Sequence, residues 1–254
     1  MLILLSPAKT LDFQSDYPLQ EMTHPFFEKR ADKIVKVLKS YKPKALSELM
    51  SISSDLSYLN YERFQNWTKI GPDHLRPSVF AFKGDVYIGL DAQSLSKSAL
   101  AFSQNHLRIL SGLYGYLRPF DLIKPYRLEM GTNLSIDSKR NLYNYWRNDI
   151  TQLVKKDLGK LKSNIIINLA SNEYAKCIDF KSLDAKVISP EFKESKDGGY
   201  KIISFFAKKA RGQMSRFIIE NEINDPDDLI TFDIDGYIFN QKMSVNNKMV
   251  FTRG

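Results

Sequence analysis

Three short apolar runs constrain this chain more than anything else in it. Met1–Leu5 and Ile165–Leu169 are almost wholly apolar, and Leu107–Leu110 is broken only by Arg108. A strand wet on one face alternates apolar with polar residues, whereas one covered on both faces reads as a continuous run. The three runs are therefore expected as buried strands. Each stops at a polar loop: Ser6-Pro7-Ala8-Lys9-Thr10, Ser111-Gly112, and Ala170-Ser171-Asn172-Glu173. In open α/β sheets, ligands bind beyond the carboxyl ends of the strands. If the three strands are parallel neighbours, their loops converge.

Helical periodicity separates the runs. Phe27, Ala31, Ile34 and Leu38 recur on one face of 25–41, Pro43 ends that helix, and a short helix follows at 45–50. Ser53 or Ser54 caps another helix that runs through Trp67. Residues 95–105, 142–161 and 207–221 are also expected as helices. Val79–Phe82 and Val86–Leu90 read as two strands about Lys83-Gly84-Asp85. Lys186–Ser189 and Tyr200–Phe205 read as an antiparallel pair across Asp197-Gly198-Gly199, and a meander closes the chain from Phe232, with Asn246-Asn247 as a hairpin turn. No repeat, low-complexity tract or long linker appears. The expected fold class is α/β: a single domain over 1–254, with a mixed β-sheet flanked by helices.

At 254 residues and 43% hydrophobic the chain can bury a full core. No apolar run approaches the length of a membrane span. The start, MLILLSPAKT, lacks a basic region and reads as a strand rather than a signal peptide. A cytoplasmic setting follows. One cysteine excludes internal disulfides and multi-cysteine metal sites, and Cys177 reads as a small packed apolar residue. His24, His74 and His106 are far apart with no ligand spacing. No tightly bound metal and no cofactor is expected.

Residues 108–132 carry the densest chemistry. Arg108, Arg118, Lys124 and Arg127 are interleaved with Tyr114, Tyr116, Phe120 and Tyr126, among three glycines and two prolines. This reads as an ordered loop of donors and stacking faces suited to phosphates, bases or a small polar substrate. Lys208, Lys209, Arg211 and Arg216 form a second cationic group, with no acid among them. Lys9 beside Thr10 resembles an anion cradle but lacks the glycines of a nucleotide-binding loop. The net charge of +8 permits a polyanionic partner. The nine cations Lys9, Arg108, Arg118, Lys124, Arg127, Lys208, Lys209, Arg211 and Arg216 are the candidate phosphate contacts. Ser6, Thr10, Ser111, Glu129, Ser171, Asn172 and Glu173 are candidates for a small-molecule pocket, with Glu129 and Glu173 paired to Arg127 and Arg211 or held for proton transfer. No catalytic residue is assigned.

Six segments taken together resemble the YaaA family of bacterial peroxide stress proteins. They are SPAKTLDF at 6–13, FKGDVYIGLDA at 82–92, LRILSGLYGYLRPFDLIKPYRLEMGT at 107–132, NLASNEYAK at 168–176, KKARGQMSRFII at 208–219 and FDIDGYIF at 232–239. The resemblance implies a cytosolic protein that limits peroxide damage by lowering free iron. It also implies binding of double-stranded DNA in a basic cleft, and a helix-hairpin-helix-like element. The candidate for that element is Leu110–Gly115, with two residues rather than one between its glycines. An enzyme of unknown reaction at the converging loops is the competing reading.

Overall fold

No side chain of Leu2–Leu5 (β1) reaches solvent, and both edges of its backbone are taken up by parallel neighbours. The computed structural model describes residues 1–18 and 21–254. After β1 come β2 (Thr10–Leu11), α1 (Glu28–Leu38), α2 (Pro43–Met50), α3 (Ser54–Gln65), β3 (Arg76–Pro77), α4 (Ser78–Ala81), β4 (Phe82–Lys83), α5 (Asp85–Leu90) and α6 (Lys97–His106). The middle of the chain forms β5 (Leu107–Ser111), β6 (Gly115–Leu117), β7 (Leu122–Ile123), α7 (Leu142–Lys160), β8 (Ile165–Asn168) and α8 (Asn172–Ala175). It ends with β9 (Lys186–Lys196), β10 (Gly199–Lys201), α9 (Ser204–Glu220), β11 (Ile238–Phe239) and β12 (Lys248–Arg253).

The main sheet runs β11-β12-β9-β8-β1-β5-β6, with β10 on β9. Ile3 lies beside Leu107 of β5 and beside Ile167 of β8, both in parallel. The interior pairs β8–β9 and β9–β12 are parallel too, while β6, β10 and β11 pair antiparallel. The mixed sheet flanked by helices is thus the observed class. Side-chain caps start the longer helices where the sequence offers them: Ser53 accepts from Leu56 N–H, Ser96 from Ala99 N–H and Asn141 from Asn144 N–H. Among the described residues no helix is long and apolar enough to cross a membrane.

The structure corrects four local expectations. Val79–Phe82 and Val86–Leu90 are not a strand pair: 78–81 and 85–90 are short helices, and only Phe82–Lys83 is extended, pairing with β2. Short apolar runs fit either period, and packing against α9 decides this one. Tyr200–Phe205 is extended only over 199–201, and Ser204 already opens α9. The expected meander from Phe232 begins as 3-10 turns at Pro226–Thr231 and Ile234–Gly236, with Asp235 in the left-handed region at φ 55°. Its Asn246-Asn247 turn is present, with Val245 and Lys248 exchanging backbone hydrogen bonds across it. Finally, Leu110–Gly115 is the bend of the β5–β6 hairpin, so no helix pair brackets it. Gly115 turns there at φ 70°, and a Cβ would stand 2.8 Å from the Trp146 ring.

One crossing fixes α9 to the rest. Gly212 of α9 and Gly89 of α5 let the two backbones touch: a Cβ on Gly212 would sit 1.8 Å from the Val86 carbonyl oxygen, and one on Gly89 2.1 Å from that of Lys209. Gly212→Ala therefore forces the helices apart and is expected to cost about 3 kcal/mol, the upper part of the overpacking range. Gly159 lies on the exposed side of α7 with open space around it. Gly159→Ala should add about 0.5–1 kcal/mol of stability through helix propensity. Urea unfolding of the two variants checks both signs.

Candidate functional site

Parallel pairing of β5 and β8 with β1 brings their three following loops to one edge of the sheet. The Ser6 hydroxyl accepts the Ser171 N–H at 2.9 Å, so the first and third loops are bonded directly. Tyr87, carried inward by α5, donates its hydroxyl to the Ser6 carbonyl at 3.0 Å. The Ser111 hydroxyl accepts the Tyr114 N–H at 2.9 Å and lies 2.6 Å from the Tyr126 hydroxyl. That last contact draws the 124–131 segment back over the strand ends.

The charged groups of this edge follow. Glu129 lies between two cations, 2.7 Å from Lys9 Nζ and 3.3 Å from an Arg127 guanidinium nitrogen. Arg127 Nε is buried without an acceptor among the described residues. Glu173 accepts the Gly131 N–H at 3.0 Å, and its carbonyl accepts the Tyr143 hydroxyl at 2.9 Å. Burial, the leading cause, raises the pKa of Tyr87, Tyr126 and Tyr174. Tyr126 and Tyr174 further disfavour the charged form of Tyr87, and Glu173 and Glu129 act likewise on Tyr174. Three neutral phenols therefore cluster here, and one of them, Tyr174, lies within reach of the Glu129 carboxylate that Lys9 and Arg127 hold. Such an arrangement can bind a polar group and exchange protons with it.

The expected residues divide. Ser6, Lys9, Ser111, Arg127, Glu129, Ser171 and Glu173 come together at the strand ends. Thr10 and Asn172 are exposed beside them and make no side-chain hydrogen bond among the described residues. Glu173 does not pair with Arg211: it is held by a backbone amide, and the acid that acts on Arg211 is Glu191. Arg108 is buried, donating to Asp157 at 2.7 Å and to the carbonyls of Gln104 and Leu107. Because β6 returns antiparallel, Arg118 sits near the start of β5, at the far edge from Ser111. There it donates to Asp121 at 2.7 Å and to the His24 carbonyl at 2.8 Å. Lys124 donates to the Trp67 carbonyl at 2.8 Å and covers its ring at 4.9 Å.

On α9, Lys209 is paired with Asp235 at 2.8 Å and Arg216 with Glu220 at 2.6 Å. Lys208 is exposed, and Arg211 has no ion pair among the described residues, with burial lowering its pKa. Tyr87 and Tyr174 escaped the sequence reading. Tyr87 lies in a segment whose period was ambiguous, and Tyr174 follows Glu173 in a helix of only four residues. Among the described residues no group of three or more His, Cys, Asp or Glu is placed to hold a metal ion.

A family model described as peroxide stress protein YaaA matches residues 1–243. The chain is 49% identical to a UPF0246 protein of Alteromonas mediterranea, covering 100% of this chain and 98% of that one. It is 50% identical to a UPF0246 protein of Saccharophagus degradans, covering 100% and 99%. A UPF0246 protein of Flavobacterium johnsoniae is 48% identical, with both chains covered in full at 100%.

The lone thiol stands apart from this chemistry. Cys177 is buried, and burial pushes its pKa up to about 12. The native protein should therefore resist thiol-labelling reagents at neutral pH, and denaturant should release one reactive thiol per chain. Native labelling at the rate of free cysteine would contradict the burial argument.

Proposed function

The chain belongs to the YaaA family of peroxide stress proteins, and from that premise we propose that it binds double-stranded DNA without reading its sequence. The observation that carries the proposal is charge left over after internal pairing. The net charge is +8, and α9 bears four cations and no acid before Glu220. Lys208 and Arg211 supply charge without an ion-pair partner among the described residues, and Lys9 is largely exposed although it touches Glu129. Phosphates are the natural counter-charge, and among the described residues no helix carries an evident base-reading row. The proposed setting is the cytoplasm, and the proposed benefit is protection of the duplex from iron-driven oxidation.

Each neutralised phosphate contributes about −0.9 to the slope of log K against log salt. Replacing Lys9, Lys208 and Arg211 together by alanine should flatten that slope by up to about 2.7, read by duplex titration at several salt concentrations. An unchanged slope with an intact fold would remove these residues from the interface.

A second reading is an enzyme acting on a small polar substrate at the strand ends. It is favoured by Glu129 held between Lys9 and Arg127, with the buried phenol of Tyr174 within reach of its charge. Glu173→Gln separates the two. The amide keeps an oxygen to accept the Gly131 N–H, so stability should fall by only about 1 kcal/mol. If DNA binding is the function, cells carrying this variant survive peroxide as wild type does. Loss of survival at normal abundance and normal duplex affinity would favour the enzyme.

A further inference from the structure

Away from the strand ends a cavity of about 500 Å³ opens beside β3, walled by Leu11, Phe13, Tyr17, Arg63, Arg76 and Pro125. Arg76 is only 4% exposed. Its Nε donates to the Phe80 carbonyl at 2.9 Å, and one terminal nitrogen donates to the Ser15 carbonyl. The other terminal nitrogen is buried with no acceptor among the described residues. The guanidinium lies over the Tyr17 ring at 4.9 Å, and Tyr17 in turn stacks on Phe80 at 5.5 Å and 17°.

Arg63 reaches the same cavity from α3. Its one hydrogen bond among the described residues is a 3.4 Å contact to the Asn60 amide oxygen, and burial lowers its pKa. Arg108, Arg118 and Arg253, which are also drawn into the fold, each hold a carboxylate within 2.8 Å. Neither cavity arginine forms an ion pair with a described residue. Asp73 is the acid on the wall; it is exposed at the rim beside His74.

A desolvated cation without a counter-charge is costly, and native structures seldom leave one. We propose that this cavity is a binding site for a small organic oxyanion, a phosphate or a carboxylate on a planar body. The head group lies against Arg63 and Arg76, whose planar forks match either oxyanion. The planar body packs on Phe13, against the edge of the Tyr17 ring. The volume falls within the usual range for small-molecule sites, roughly 300–1,000 Å³. This inference does not depend on the DNA reading, because neither arginine belongs to the surface assigned to the duplex.

The test uses the full chain in calorimetric titration and thermal unfolding with three probes: adenosine monophosphate as the planar phosphate, benzoate as the planar carboxylate, and uncharged adenosine. Saturable one-to-one binding of either anion with a raised Tm, and none of adenosine, is expected; which anion binds identifies the head group. Arg63→Gln should weaken that binding tenfold or more, while Lys208→Ala leaves it unchanged. Without ligand, Arg63→Gln should raise Tm, since it removes one of two uncompensated charges. Loss of a merely structural arginine would lower it. The proposal is overturned if neither anion binds, if Arg63→Gln binds as wild type does, or if Lys208→Ala weakens binding as much as Arg63→Gln.

Discussion

The backbone ladders on both sides of Leu2–Leu5 are the constraint on which the rest depends. Parallel bonding to β5 and β8 leaves β1 no freedom of register, and full burial of its side chains leaves it no freedom of face. The bond from Ser171 to Ser6 then follows from strand alignment rather than from any loop preference. The same alignment sets Ser111 one strand away, where Tyr126 can reach it. A one-residue slip would send Leu2 and Leu4 to the face now held by Ile3 and Leu5, and would scatter the loops as well.

Several of the cations that stand out in the sequence serve the protein's own architecture. Asp157, itself buried, accepts from both Arg108 and the Tyr116 hydroxyl, and so ties β5 and β6 to α7. Arg216 reaches the carbonyls of Leu90 and Asp91, closing the end of α5 onto α9. A desolvated pair of this kind gives geometry more than stability, because its attraction is offset by the water each ion has lost. A basic isoelectric point is therefore a poor guide to where a partner lands. The informative cations are those the fold leaves unmatched.

Much of the scaffold was legible because burial on both faces imprints itself directly on composition. The runs at Met1–Leu5 and Ile165–Leu169 announce interior strands, and their polar ends announce loops that meet at one end of the sheet. The pairing of Glu129 with Arg127 could be suspected from their own loop, but Lys9 could not be joined to it, since it lies more than a hundred positions away. Arg108 misled for a physical reason. A cation among apolar neighbours looks like a donor aimed at a ligand, while its true partner, Asp157, lies in the last turn of α7 where nothing local marks it. The α5 segment was opaque because Val86, Tyr87 and Leu90 suit a short strand as well as a helix, and the crossing with α9 decides between them. Arg63 and Arg76 were invisible to motif reading: what distinguishes them is that neither forms an ion pair with a described residue, a property of three dimensions alone.

The crossing of α5 and α9 also has an evolutionary side. Positions 89 and 212 face each other's helix with no room for even a methyl group. Neither can drift alone, and a larger side chain at one has no smaller residue than glycine to answer it at the other. Lys208, one turn away and open to water, has no such tether. The charge pattern of α9 can thus diversify from lineage to lineage while the axis that presents it stays still. A helix pinned in this way can change its ligand without changing its place.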